Sequence, residues 1–258
     1  MKVIHQSSIL VIAVLVLAIP VSAQKQEVVL SAAASLTDVL TALKPEAEKY
    51  IGASLVFNFG ASGTLRAQIE QGAPVDVFFS AAASHMNTLE KAALLVPGSR
   101  KNILSNSMVL ISDGTIKGPI KSEALRNILS SASLLAIGNP DSVPAGTYAV
   151  EALRSFGLHG IMEKKLVLGG NVRQVLQFVE SGSAPLGIVF LTDAASVAKG
   201  SPVSRLFIFP DSALASPIVY PAAIIAASKQ QALAAKLMAF FHTDSARQAF
   251  TESGFAVP

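Results

Sequence analysis

Short uninterrupted runs of apolar residues alternate along this chain with segments of helical periodicity. In the first half the apolar runs are 28–31, 55–59 and 76–80, and predicted helices lie between them at 35–50 and 64–71. A strand that is apolar throughout must be covered on both faces. Such strands joined by helices are typical of parallel sheets. The pattern therefore predicts an α/β fold built from βαβ units.

The same alternation begins again after residue 107. The later predicted strands are 108–111, 134–138, 186–190, 206–209 and 222–225, with helices at 146–156, 172–180 and 229–242. Two α/β halves in a chain of 258 residues predict two lobes, each with its own core and with a cleft between them. We expect lobe 1 to comprise 24–106 plus 221–258, and lobe 2 to comprise 107–220.

Residues 1–23 have the pattern of a secretory signal peptide. Lys2 precedes an unbroken apolar run at 9–19, and the small residues at 21–23 suit a cleavage site. The run is shorter than the roughly 20 residues that a membrane span needs, which favours cleavage over the alternative of a retained anchor. We therefore expect a mature chain that begins at Gln24 and is soluble and periplasmic.

Composition excludes several classes of function. The chain has 20 basic and 17 acidic residues, and the basic residues are scattered, which argues against nucleic-acid binding. It has no cysteine, which excludes thiolate metal sites and cysteine nucleophiles. His85, His159 and His242 lack metal-ligand spacing. Asp76 and Asp193 have no recognisable nucleophile beside them, so we predict solvated or capping roles for both.

Four turns rich in small hydroxyl or amide residues each precede a predicted helix. They are A-A-S-L-T-D at 33–38, G-A-S-G-T at 60–64, V-P-A-G-T-Y at 143–148 and G-N-V-R at 170–173. The start of a helix has unpaired backbone N–H groups and the positive end of the helix dipole, so it attracts anions. Two of the turns lie in each half. An anion between the lobes would be held from both sides without any fixed cation.

Five sequence motifs resemble those of the periplasmic molybdate-binding proteins of ABC transporters, in order along essentially the whole mature chain. They are A-A-A-S-L-T-D at 32–38, F-G-A-S-G-T-L at 59–65, Q-G-A-P-V-D-V-F at 71–78, G-N-P-D-S-V-P-A-G-T-Y-A at 138–149 and A-P-L-G-I-V-F at 184–190. The resemblance implies a two-lobed periplasmic-binding-protein fold of type II. Its sheets would be mixed, mostly parallel and flanked by helices, and two strands would cross between the lobes.

The resemblance also implies a function. A protein of this family captures molybdate, and usually tungstate, and delivers it to a membrane permease with a cytoplasmic ATPase. We therefore expect a monomeric binding protein that is not an enzyme and has no cofactor. Molybdenum would be present only in the bound oxyanion, without direct bonds to the protein.

The family's ligand positions fall in the four turns. The resemblance assigns the hydroxyls of Ser35 and Ser62 and the backbone amides of Ala145 and Val172 to the oxyanion. Each residue also has a purely structural interpretation. Ser35 with Asp38 matches a helix capping box. Ser62 suits a tight turn, and the residues around Ala145 suit a helix start.

One position departs from the family pattern. The family usually has a tyrosine after G-I-V, whose hydroxyl donates to the anion, and this chain has Phe190 there. A lost hydrogen bond to a charged group is worth about 1.5–3 kcal/mol unless another donor replaces it. Water, Thr192 or Tyr148 are the candidate replacements. The alternatives are weaker binding or a different anion preference.

Neutral donors of fixed direction suit a fully deprotonated tetrahedral dianion such as molybdate, tungstate or sulfate. Phosphate keeps a proton at neutral pH and needs an acceptor, which disfavours it. A second hypothesis is therefore a binding protein for another small anion, such as sulfate or a small carboxylate. A third, from another class, is a secreted serine hydrolase that uses Ser35 or Ser62, although no base accompanies either residue. Arg173 is predicted to lie on a helix surface.

Overall fold

The computed structural model describes residues 26–258. The predicted signal peptide and Gln24 lie outside the described residues. The strands are β1 (Glu27–Ala33), β2 (Ser54–Gly60), β3 (Val77–Phe79), β4 (Lys101–Ser105), β5 (Met108–Ser112), β6 (Leu135–Gly138), β7 (Leu166–Gly169), β8 (Leu186–Phe190), β9 (Ser204–Ile208) and β10 (Val219–Ile224). The helices are α1 (Thr37–Ile51), α2 (Ser62–Glu70), α3 (Ala83–Lys91), α4 (Ser122–Ser131), α5 (Pro144–Ser155), α6 (His159–Met162), α7 (Val172–Glu180), α8 (Leu191–Ala195), α9 (Gln231–Phe240) and α10 (Asp244–Glu252).

The strands of the described chain form two separate mixed sheets. The first has five strands in the order β2-β1-β3-β10-β4, and the second has five in the order β7-β6-β8-β5-β9. Strands within the βαβ units pair in parallel, namely β1 with β2 and β3, and β6 with β7 and β8. The antiparallel pairs all involve β10 or β5. Two mixed sheets flanked by helices confirm the predicted fold class.

The chain crosses from the first sheet to the second between β4 and β5, and returns between β9 and β10. These two crossings bring β4 and β10 into one sheet and β5 and β9 into the other. Strand β10, which begins at Val219, lies wholly in the first sheet. The exact division of the chain at 106/107 and 220/221 stays a prediction.

The apolar periodicity correctly predicted the buried faces of the main helices. Val39, Leu40, Leu43 and Ala47 of α1 are all buried, as are Val172, Val175, Leu176 and Val179 of α7. Strands β5 and β8 are buried along their whole length, and helices α5, α7 and α8 pack against them. Burial of such runs is the main favourable contribution to folding.

The predicted capping box at the start of α1 is wrong. A short 3₁₀ turn at Ala34–Leu36 precedes the helix, so α1 begins at Thr37 and its N-cap makes no side-chain hydrogen bond. The Ser35 hydroxyl is hydrogen-bonded to Tyr220 instead. Helices α3, α4 and α10 and strands β4 and β7 were not predicted, because their sequences are short or mostly polar.

Between residues 26 and 258, none of the helices combines the length and the apolar character needed to cross a membrane.

Candidate functional site

A small cavity lies between the two sheets, where the starts of several helices converge. Its volume is about 10 Å³, on the scale of a single water molecule. Residues from all four of the turns singled out in the sequence line it, together with two others, Ala81 and Phe190. Those from the turns are Ala33, Ala34, Ser35, Gly60, Ala61, Ser62, Val143, Pro144, Ala145, Asn171 and Val172. The structure thus brings together all five of the predicted site residues, although they are far apart in the chain.

Two serine hydroxyls face this cavity, and both are buried. Ser62, the first residue of α2, accepts a hydrogen bond from the backbone N–H of Ala81 at 3.0 Å. Ser35 lies 3.0 Å from the hydroxyl of Tyr220 on β10. The Ser62 hydroxyl makes no hydrogen bond as a donor to any described residue, so its proton is available to a ligand.

Two helices from the second half present backbone N–H groups to the same space. Ala145 is the second residue of α5, after Pro144, and Val172 is the first residue of α7. At these positions a helix supplies no carbonyl partner for the N–H. Neither amide is hydrogen-bonded to another group of residues 26–258. Asn171 caps α7 by accepting from the Gln174 N–H at 3.0 Å, which fixes the direction of this helix start.

Phe190 closes one side of the cavity with its ring. It is 1% exposed, and its ring packs edge-on against Tyr220 and Tyr148, with centroid distances of 5.6 and 6.4 Å. Neither Tyr148 nor Thr192 lines the small cavity. The Thr192 hydroxyl instead accepts a hydrogen bond from Asn106 at 2.9 Å. Neither hydroxyl therefore takes the place of the missing tyrosine hydroxyl in the lining of this cavity.

None of the residues that line the cavity carries a charge. Ser35 also lines a second, separate cleft, which is bordered by Asp38 and Arg173. There the Arg173 guanidinium contacts Asp38 at 2.8 Å and Asp193 at 2.7 Å. The lining thus offers hydroxyls and helix dipoles and no fixed cation, and that an anion binds there stays a prediction.

These ion pairs correct three of the sequence interpretations. Arg173 bridges the two lobes rather than lying free on a helix surface, and Asp38 is its partner rather than a helix cap. Asp193 is fully buried, so of its two predicted roles, solvated or capping, the solvated one is excluded. Burial raises the pKa of Asp193 to about 7, although the Arg173 cation opposes the shift.

The lobes are in direct contact beside the cavity. The Gly63 N–H of α2 donates to the Ser142 carbonyl of the other lobe at 2.9 Å. A Cβ atom placed on Gly63 would lie 2.6 Å from that carbonyl oxygen. The approach therefore requires glycine at this position, and the structure has the lobes closed.

Asp76 and the histidines take no part in the cavity. Asp76 is buried but structural, because its carboxylate accepts from the Val29 N–H at 2.7 Å and from the Ser228 hydroxyl at 2.6 Å. No group of acidic or histidine residues within 26–258 is arranged to hold a metal ion. Neither Ser35 nor Ser62 is hydrogen-bonded to a base among the described residues.

Sequence reasoning missed Tyr220 and Asn106, which contact the site from behind. Tyr220 is fully buried in β10, and Asn106 lies between β4 and β5. The Asn106 side-chain amide donates to the Tyr220 hydroxyl at 3.2 Å. Neither residue lies in a turn before a helix, so the pattern used to find the site could not include them.

Two lobes closed around a small uncharged cavity, with helix starts pointing into it, define a class of protein that captures a small solute rather than transforming it. The chain belongs to the family described as bacterial extracellular solute-binding protein, which matches residues 28–256. This is a family of binding proteins, not of enzymes.

Individual relatives are similar over nearly the whole chain. The putative ABC transporter substrate-binding lipoprotein YvgL of Bacillus subtilis is 34% identical over 91% of this chain and 88% of its own length. The molybdate-binding protein ModA of Haemophilus influenzae is 34% identical over 91% of each chain. The solved structure of the periplasmic molybdate-binding protein of Azotobacter vinelandii superposes with a TM-score of 0.79 at 28% identity, covering 90% of this chain and 99% of that one.

Proposed function

We propose that this protein binds molybdate outside the cytoplasm and delivers it to the membrane permease of an ABC transporter. The observation that carries the proposal is the convergence of Ser35, Ser62, Ala145 and Val172 on one uncharged cavity. The similarity to proteins named as molybdate-binding supports the choice of ligand.

The proposed binding mode uses two hydroxyls from one side and two helix starts from the other. The Ser35 and Ser62 hydroxyls would donate from the first lobe, and the Ala145 and Val172 amides from the second. Hydrogen bonds to a charged group are about twice as strong as those between neutral groups. Because the donors come from both lobes, the ligand would hold the lobes together, which couples binding to closure.

Size would distinguish one dianion from another. Donors fixed by helix starts and buried hydroxyls form a ring of set radius, and the Mo–O bond is longer than the S–O bond. A ring that fits molybdate would leave sulfate with longer hydrogen bonds. Tungstate has nearly the same size and charge as molybdate, so the proposal includes tungstate as a second ligand.

Phe190 would leave the site without the tyrosine hydroxyl expected from the family. Its ring covers the anion on that side and excludes bulk water, which strengthens the remaining hydrogen bonds. We propose that a bound water or the remaining donors compensate.

The remaining parts of the proposal concern where and in what form the protein acts. Residues 1–23 would direct export and be removed, leaving a monomer that begins at Gln24. Lobe 1 would comprise 24–106 plus 221–258, and lobe 2 would comprise 107–220.

Isothermal titration calorimetry tests the proposed ligand. The purified protein is titrated with sodium molybdate, then with tungstate, sulfate and phosphate in separate runs. Tight one-to-one binding of molybdate and tungstate, with little heat from sulfate and phosphate, is the expected result. Tight sulfate binding with molybdate ignored would replace the proposal with a sulfate-binding protein.

A further inference from the structure

A chain of hydrogen bonds reaches Ser35 from the crossing between the lobes. The Asn106 amide nitrogen donates to the Tyr220 hydroxyl at 3.2 Å, and the Tyr220 hydroxyl lies 3.0 Å from the Ser35 hydroxyl. Asn106 lies on the first crossing, and Tyr220 follows the second. The chain ends at the cavity, because Ser35 lines it.

The orientation of the Asn106 side chain fixes the direction of this chain at its outer end. The Asn106 carbonyl oxygen accepts from the backbone N–H of Ser107 at 2.9 Å. The amide nitrogen therefore faces the other way, and its two protons go to the Thr192 and Tyr220 hydroxyls. A side-chain NH₂ group is a donor only. The Tyr220 oxygen must consequently act as the acceptor from Asn106.

The Tyr220 hydroxyl has one proton, and that proton must go to Ser35. Within residues 26–258, Asn106 and Ser35 are the hydrogen-bond partners of this hydroxyl, and only Ser35 can accept. Complete burial raises the pKa of Tyr220 well above its ordinary value, so the proton stays in place. The Ser35 oxygen is thus an acceptor from Tyr220, and its own proton is left for the cavity.

Ser62 is held in the same sense by a different group. Its oxygen accepts from the Ala81 backbone N–H, which can only donate. Both cavity hydroxyls are therefore occupied as acceptors on the side away from the ligand. The difference is that a fixed backbone amide orients Ser62, whereas two side chains orient Ser35.

We propose that Asn106 and Tyr220 are positioning residues that make Ser35 a hydrogen-bond donor toward the bound oxyanion. This inference rests on the proposed function and specifies how one of its hydroxyls is prepared. A serine that is free to rotate presents either its proton or its lone pairs to the cavity. The Asn106–Tyr220 chain removes the second arrangement, which would repel an anion.

A double-mutant cycle tests the inference. Molybdate affinity is measured by calorimetry for the wild-type protein and for the Ser35→Ala, Tyr220→Phe and double variants. We expect Tyr220→Phe to weaken binding about 3- to 10-fold, the size of one ordinary hydrogen bond. In the Ser35→Ala background the same substitution should change affinity by less than about twofold, because its effect passes through Ser35.

Tyr148→Phe is the matched control. It removes the hydroxyl of the other tyrosine that packs against Phe190, and Tyr148 does not line the cavity. We expect its molybdate affinity to stay within about twofold of that of the wild-type protein, because substitutions at separate sites act independently to about that precision. Equal weakening by Tyr220→Phe in both backgrounds would mean a general structural effect and would overturn the inference.

Asn106→Asp provides a second test if Tyr220→Phe does not fold. A carboxylate accepts from Tyr220, which reverses the chain and turns the Ser35 lone pairs toward the ligand. Its added negative charge acts in both backgrounds and cancels in the cycle. The loss of affinity should therefore be larger with Ser35 present than in Ser35→Ala, and equal losses would contradict the inference.

Failure of the wild-type protein to bind molybdate would refute the proposed function instead.

Discussion

The Ser62 hydroxyl has two roles that can be measured separately, one in ligand binding and one in the stability of the fold, and removing it should affect both. The oxygen accepts from the Ala81 N–H at 3.0 Å, and the proton is available to the ligand. A hydrogen bond to a charged group is worth about 1.5–3 kcal/mol, so Ser62→Ala should weaken molybdate binding about 10- to 150-fold. The buried Ala81 N–H loses its partner as well, which should lower the free energy of unfolding by about 1–3 kcal/mol.

Calorimetry with molybdate gives the first quantity, and urea unfolding of the ligand-free protein gives the second. Ser112→Ala is the matched control, because Ser112 is also fully buried, accepts from a backbone N–H (that of Gly114) and lies outside the cavity. It should lose stability and keep its affinity. Ser62→Ala with normal affinity and reduced stability would show that this hydroxyl is only structural and would refute the reasoning.

Three further results are expected. Gly63→Ala places a Cβ 2.6 Å from the Ser142 carbonyl oxygen of the other lobe, which should hinder closure and weaken molybdate binding at least about tenfold in calorimetry. The melting temperature of the ligand-free protein should not fall, and a normal affinity would mean that closure does not need this contact. Phe190→Tyr should tighten binding by up to about tenfold if the hydroxyl reaches the anion, and weaker binding in calorimetry would show that the cavity has no room for it. Burial and the Arg66 cation lower the pKa of His85 to about 4 in the folded protein, whereas the unfolded chain binds this proton with a pKa near 6.5. The free energy of unfolding should therefore fall as the pH drops from about 6.5 to about 4. Urea unfolding at several pH values should show this fall in wild type and a smaller one in His85→Asn, and equal slopes would exclude His85 as the cause.

The absence of charge from the cavity lining has a physical consequence for transport. A fixed cation would attract every anion strongly, whereas neutral donors of set direction favour an anion whose oxygens match them in number and position. Arg173 lies near the cavity but directs its guanidinium to Asp38 and Asp193. Its charge is thereby used between the lobes rather than on the ligand.

Several local features followed from the sequence alone. The apolar runs at β1, β2, β5, β6 and β8 predicted strands because few other structures bury such segments on both faces. The helix of residues 172–180 was predicted at its observed bounds, since its apolar residues recur at helical spacing. The four turns before helices were recognisable because the needs of a helix start are local.

The structure alone decided which partners those local features have. The sequence assigned Ser35 and Asp38 to one capping box, yet Ser35 contacts Tyr220 and Asp38 contacts Arg173. Both partners are remote in the chain, and no short-range pattern encodes such pairs. The direction in which a hydroxyl donates likewise depends on every group around it, and those groups come together only when both lobes have folded and closed. The sequence by itself thus determined the elements and the candidate residues, while tertiary packing decided how they are oriented toward one cavity.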